Sequence, residues 1–143
     1  MKKIAVILIA VLLIGSSWNK LSAQQETGNV TIENYYKVKW GYAEEFITLW
    51  KLNHYPLLKK AQEKGDIISV VAEKPSLHSG EDTRWDLKIV IRFKNWQAAF
   101  DPNLTTPYKK QLYPDSDKLN KDEQHRFELL LAHWDVLVEQ IKL

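Results

Sequence analysis

VKWGYAEEFITLWKLNHYPLLKKAQEKG, residues 38–65, joins two hydrophobic periods at a glycine. Before Gly41, the segment VTIENYYKVKW (30–40) puts Val30, Ile32, Tyr36, Val38 and Trp40 on one side and Tyr35, Lys37 and Lys39 on the other. That is the alternation of a strand. After Gly41, Phe46, Leu49, Trp50, Asn53, Leu57 and Ala61 recur at helical spacing, with the lysines opposite. Glu44 and Glu45 in the first turn, and Lys59, Lys60 and Lys64 near the end, suit the helix dipole, and Gly65 closes the element. Pro56 stands inside this pattern, after Trp50 and His54. A proline within a helix removes one backbone hydrogen bond and costs about 3 kcal/mol. It frees the carbonyl of Leu52. The spacing predicts one helix over 42–65, bent at Pro56, with His54 facing a pocket beside the bend.

Working outward, DIISVVAEKP (66–75) is apolar and β-branched and reads as a strand, and SLHSGEDT (76–83) as a turn. RWDLKIVIRFKN (84–95) is the clearest strand: Trp85, Leu87, Ile89, Ile91 and Phe93 alternate with Asp86, Lys88, Val90, Arg92 and Lys94. NWQAAF follows as a short helix. Residues 101–121 hold Pro102, Pro107 and Pro114 and read as a long irregular connection. KDEQHRFELLLAH (121–133) reads as a helix and WDVLVEQIKL (134–143) as a last strand.

The order βαββαβ predicts an α+β, ferredoxin-like fold, a four-stranded antiparallel sheet with helices on one face. Trp40, Ile89, Ile91, Val136 and Val138 are expected against the helices. The other face is expected to carry Tyr35, Lys37, Lys39, Asp86, Lys88, Arg92, His133, Asp135 and Leu137. Either water covers that face, as antiparallel sheets permit, or a second such sheet closes on it to make a shared barrel.

The first residues have a different character. Lys2 and Lys3 precede eleven apolar residues, Ile4 to Ile14, and small and polar residues run on to Ala23. This is the layout of a secretory signal peptide. The apolar run is shorter than the roughly 20 residues that span a bilayer. The expected division is a signal peptide over 1–23, a loose segment over 24–29 and a single domain over 30–143, exported to the periplasm or beyond the cell after cleavage, with no lasting membrane anchor. The chain contains no cysteine, so neither a disulfide nor a lipid-modified cysteine is available. The 120 residues after Ala23 hold 17 basic and 18 acidic residues, a net charge of −1. That balance gives no reason to expect nucleic acid as a partner.

KWGYAEEFITLWKLNHYPL (39–57) resembles the start of an EthD-type domain of the dimeric α/β-barrel superfamily, in which a strand ends at glycine and a helix carries Phe and then Trp-x-x-x-His-x-Pro-Leu. Gly41, Phe46, Trp50, His54, Pro56 and Leu57 fill those places. WDLKIVIRFKNWQAAF resembles the group's third strand and the turn into its second helix, and KDEQHRF its Asp-Glu-x-x-x-Phe region. Trp40 departs from the pattern where proline is common, and 101–121 follows it poorly. The resemblance implies a homodimer whose sheets form a barrel, with a cavity for a small hydrophobic or aromatic ligand between sheet and helices. Members of the group include cofactor-free enzymes acting on aromatic compounds. Some distant members bind haem, for which His54 or His133 would be the candidate axial ligand, though no local feature calls for it.

Each candidate site residue has a functional and a plainer reading. His54 is either an acid/base or ligand-bonding group in the cavity, or a structural histidine capping the carbonyl that Pro56 releases. His133 and Asp135 lie two apart on the last strand and either orient a ligand or form a partly exposed ion pair. Tyr35, Tyr36, Trp40 and Trp50 either stack on an aromatic ligand or belong to the core. His78 and His125 have no partner at metal-ligand spacing, and there is no H-E-x-x-H, paired cysteine, Gly-rich phosphate loop or G-x-S-x-G elbow. No metal and no cofactor is expected. Two functions remain open: an exported ligand-binding or interaction protein, and a cofactor-independent oxygenase, dehydratase or isomerase using His54 on a small aromatic or carbonyl compound.

Overall fold

A computed structural model describes residues 28–143 apart from 78 and 142. The expected signal peptide, most of the loose segment after it and His78 therefore lie outside the described residues. The elements are β1 (Val30–Val38), α1 (Ala43–Asn53), α2 (Tyr55–Glu63), β2 (Ile67–Glu73), β3 (Leu87–Phe93), α3 (Trp96–Ala99), α4 (Thr106–Leu112), α5 (Ser116–Glu128) and β4 (Leu130–Val138), with a single 3-10 turn at Glu81–Thr83. The strands form one antiparallel sheet in the order β2-β3-β1-β4. This is the ferredoxin-like fold that the element order predicts.

One face of the sheet makes the core. Leu87, Ile89, Ile91 and Phe93 of β3 are buried, every second residue, and so are Val30, Tyr36 and Val38 of β1. Phe46, Trp50, Leu57, Leu58 and Ala61 of α1 and α2 cover them. Phe46, Leu57, Ile67, Ile89 and Val38 are the largest fully buried side chains, each worth roughly 1.5–3 kcal/mol of burial. Gly41 and Gly65 adopt φ of +84° and +81°, which turn the chain out of β1 and out of α2.

The single bent helix expected over 42–65 is two helices. α1 ends at Asn53, His54 stands between, and α2 starts at Tyr55 with Pro56 in its first turn. A proline there gives up a donor that has no intrahelical partner anyway. The released carbonyl of Leu52 accepts a 2.8 Å hydrogen bond from the Tyr113 hydroxyl, so Tyr113 rather than His54 caps it.

Residues 101–121 are not irregular. They contain α4 and the start of α5. Pro107 lies in the first turn of α4, and Asp115 caps α5 by accepting from the Lys118 N–H at 2.9 Å. α5 ends five residues before the expected 133, and β4 begins at Leu130.

That shift changes which residues face the helices. β4 pairs with β1 through Tyr36↔His133, Asn34↔Asp135 and Ile32↔Leu137. Directly opposed residues share a face, so His133, Asp135 and Leu137 lie on the helix side, not the outer side. Val136 and Val138, expected against the helices, lie on the outer face with Trp134. The register slips at Lys37/Val38, where Val38 pairs with Leu130, leaving Leu131 as the extra residue of a bulge. Trp40 is corrected too: it stands 71% exposed beyond the end of β1. Its ring lies under the Arg84 guanidinium at 4.3 Å. Arg84 itself is buried and ties the end of β1 to the loop before β3. It donates to the Val38 carbonyl at 3.1 Å, to Asp86 Oδ2 at 2.5 Å and to Glu81 Oε2 at 3.1 Å. Asp86 Oδ2 accepts in turn from the Val38 N–H at 2.8 Å.

Candidate functional site

The helix face of β1 and β4 carries polar side chains where a core would place apolar ones. Along β1 the inward positions run Ile32, Asn34, Tyr36 and Val38, and along β4 Leu137, Asp135 and His133 lie opposite the first three. The His133 ring stacks on Tyr36 with centroids 4.3 Å apart, and His133 Nε2 stands 3.3 Å from Asp135 Oδ1. Asn34 Nδ2 donates to the Ile89 carbonyl at 3.1 Å, which fixes its amide in the floor. Over this floor opens a cleft of about 400 Å³. Ile32, Asn34, Asp135 and Leu137 line its bottom, and Ala99 and Phe100 at the end of α3 form a wall.

The break between α1 and α2 lies toward the His133 end of this surface, where His133 bears on His54. His54 lies 5.9 Å, ring to ring, from Trp50. Burial pushes the His54 imidazole down to about 4, and the positive charge of Arg126, then of Lys109 and His133, pushes the same way. His54 is therefore neutral near pH 7. Burial raises the Tyr36 phenol to about 12; Asp135 adds to the rise, while Arg126 and the Trp50 indole oppose it. Tyr36, Trp50, His54, Arg126 and His133 thus form one electrostatic unit under the helix break.

Three buried donors in and beside this unit find no partner: Trp50 Nε1, Asn53 Nδ2 and Arg126 Nε. The Trp50 N–H is close enough to favour an ionised Tyr36 hydroxyl, but it is not in hydrogen-bond geometry. Each such group costs about 1–3 kcal/mol when left unsatisfied. Arg126 is 4% exposed. Its guanidinium contacts aromatic faces, Phe127 at 4.6 Å and Phe46 at 5.7 Å, and burial lowers its proton affinity. A second, mostly apolar cleft of about 340 Å³ lies on the far side of Trp50, lined by Tyr55, Val70 and Ala72.

The fold brings together five of the residues singled out from the sequence: Tyr36, Trp50, His54, His133 and Asp135. It does not bring in Tyr35 or Trp40. Tyr35 points to the outer face, stacked on Trp134 at 5.3 Å and edge-on to Trp85 at 5.9 Å. Its hydroxyl donates to Glu33 at 2.6 Å, and that bond is the main reason its proton is held more tightly than usual. Trp40 belongs to the Arg84 knot. His125 Nε2 lies 2.7 Å from Glu45 Oε1 and ties α5 to α1. Sequence reasoning missed Asn34, Arg126 and Phe100. Asn34 was detectable, since it interrupts the apolar set of β1. Arg126 was not, because a lone arginine on a helix with no apolar stripe reads as solvent-facing. Among the described residues no group of three or more His, Cys, Asp or Glu is placed to hold a metal ion.

No known protein family's sequence profile matches the chain, and no curated protein matches it. Solved structures do. A protein from Arabidopsis thaliana is similar at 11% identity and a TM-score of 0.50, over 80% of this chain and 97% of that one. A dimeric ferredoxin-like protein from an uncultured marine organism is similar at 10% identity and 0.49, over 82% and 94%. SnoaB, a cofactor-independent oxygenase from Streptomyces nogalater, is similar at 10% identity and 0.44, over 80% and 95%. At these identities the likeness concerns the fold alone.

Proposed function

We propose that this chain is a small-ligand-binding protein that works as a homodimer outside the cytoplasm. One observation carries the ligand reading: Asn34, His133 and Asp135 occupy helix-side strand positions beside an open cleft of about 400 Å³, with the Asp135 side chain 55% exposed to it and to solvent. A sheet face turned toward helices normally fills with apolar side chains. Polar groups there, next to empty volume, are what a site for a small molecule requires. The Phe100 wall and the Tyr36–His133 stack suit an aromatic or otherwise flat ligand.

Dimerisation is supported by the outer face. Val71, Trp134 and Val136 are exposed there together with the Tyr35–Trp134 stack, while Lys88–Glu73 at 2.5 Å and Lys37–Glu81 at 2.8 Å already pair much of its charge. An apolar patch framed by satisfied charges suits a two-fold contact with a second copy, closing the two sheets into a barrel. The EthD-type pattern of Gly41, Phe46, Trp50, His54, Pro56 and Leu57 agrees with that assembly. Export rests on Lys2, Lys3, the apolar run and Ala23; no helix among the described residues is long and apolar enough to cross a membrane.

The enzyme reading is the weaker one, for a quantitative reason. A general base works best when its pKa lies near the operating pH. A histidine held at about 4 is a weak base at neutrality and carries no proton to give as an acid. His54 is better suited to accept a hydrogen bond than to turn over a substrate.

The test is native mass spectrometry of the dimer purified from its host, with the absorption spectrum of whatever molecule is released. A bound small molecule that Asp135→Leu or Asn34→Leu expels supports the reading. A protein that carries nothing and binds no member of an aromatic probe set returns the cleft to a structural gap.

A further inference from the structure

We infer that the cluster beneath the helix break receives an anionic oxygen, so that the ligand is a flat molecule bearing a carboxylate, enolate or phenolate. The inference rests on the ligand reading of the cleft and specifies its chemistry.

The first observation is an excess of donors. Trp50 Nε1 and Arg126 Nε are buried and unpartnered, and both bear on the same hydroxyl, that of Tyr36. Native proteins rarely leave two such groups in one place. What they lack is an acceptor.

The second observation is a buried charge with no acid in contact. Arg126 is buried yet has no carboxylate in hydrogen-bond or ion-pair contact among the described residues; its contacts are the rings of Phe46 and Phe127. The acids nearby are engaged elsewhere: Asp135 faces His133 at 3.3 Å, and Glu123 faces Lys109 at 3.7 Å. Glu123 offsets part of the Arg126 charge from a distance, but a buried guanidinium with no carboxylate in contact is a costly arrangement, and an anion in contact would remove that cost. Lys109 adds positive potential at His54.

The third observation is reach. His133 and Tyr36 lie one strand repeat beyond Asp135 and Asn34, about 7 Å along the sheet. A ring lying on the Asn34–Leu137 floor therefore places a substituent over His133, whose side chain is 33% exposed, and toward Tyr36, Trp50 and Arg126. His54, neutral, brings no opposing charge there, and the Asp135 carboxylate at this end faces the His133 imidazole at 3.3 Å.

The experiment compares naphthoate with naphthamide, which has the same shape and no charge, by quenching of tryptophan fluorescence in the intact dimer. Naphthoate should bind about tenfold or more tightly than naphthamide, the ratio one charge-assisted hydrogen bond provides. Arg126→Met should abolish that preference while leaving naphthamide binding in place. Should Arg126→Met fail to fold, Trp50→Phe keeps an aromatic ring, removes the N–H with the rest of the pyrrole ring, and should shrink the preference. Equal binding of the two probes overturns the anion inference and leaves the cleft reading standing. Binding of neither overturns both. A preference that survives in every folded variant also overturns it, because the anion then sits elsewhere.

Discussion

The Tyr113 hydroxyl donates at 2.8 Å to the Leu52 carbonyl, the acceptor that Pro56 deprives of its helical donor. The residue after α4 thus supplies the bond that the α1–α2 junction cannot make for itself, and α4 is held near His54 by the same contact. Tyr113→Phe should cost about 0.5–1.5 kcal/mol of stability. Pro56→Ala should lower stability by about 0.4–1 kcal/mol rather than raise it. The proline already sits where helices accept it, so the substitution mainly frees the unfolded chain. Urea unfolding of the two variants checks both, and a stabilised Pro56→Ala would mean that the junction is strained.

His54 makes stability depend on pH in a defined window. Its folded-state value is about 4 against an ordinary 6.5. Between those values the unfolded chain binds the extra proton and the folded one does not, so stability falls as pH drops from 6.5 through 4. The full loss is on the order of 3 kcal/mol. His54→Gln should flatten this part of the profile. A variant that keeps the slope assigns it to another group.

The Arg84 knot should matter more than its position near the surface suggests. Arg84→Met removes the partner of Asp86, Glu81 and the Val38 carbonyl at once. Breaking a buried pair on one side costs about 3–5 kcal/mol. Asp86 still accepts from the Val38 N–H, so the lower end of that range is expected in thermal or urea unfolding. A loss below about 1 kcal/mol would place the knot among ordinary surface ion pairs.

Val136→Asp puts a charge on the outer face at the edge strand β4, on the same side as Trp134. Light scattering should then give the monomer mass where the parent gives twice that. Monomeric behaviour of both proteins at high concentration would leave the outer face to solvent.

Much of this was written in the local sequence. β1, β3 and the α1–α2 face are legible because apolar residues recur at a clean period of two or 3.6 against charged neighbours. The second half was harder. α5 buries only Leu119 and Arg126, so no apolar stripe announces it. Its start is marked instead by Asp115 after Pro114, a cap signal that is easy to pass over among polar residues. Pro107 reads as a breaker but opens α4. ELLLAH continues a helical pattern in which the strand has already begun, and a bulge then hides the frame of β4. For the site, the Trp50, His54, Tyr36, His133 and Asp135 set was in view. Arg126 was not, since an arginine on a polar helix reads as solvent-facing, and neither was the side of the sheet that His133 faces, which depends on that frame.

The bulge at Leu131 lets β4 hold one residue more than its partner strand without losing its face. Deleting Leu131 would leave Leu130 opposite Val38 and Ala132 opposite Lys37, so His133, Asp135 and Leu137 would go on facing the helices. A deletion farther along the strand, past Ala132, would instead turn the side chains beyond it to the other face. The strand can therefore change length at this one point without changing what the recess presents.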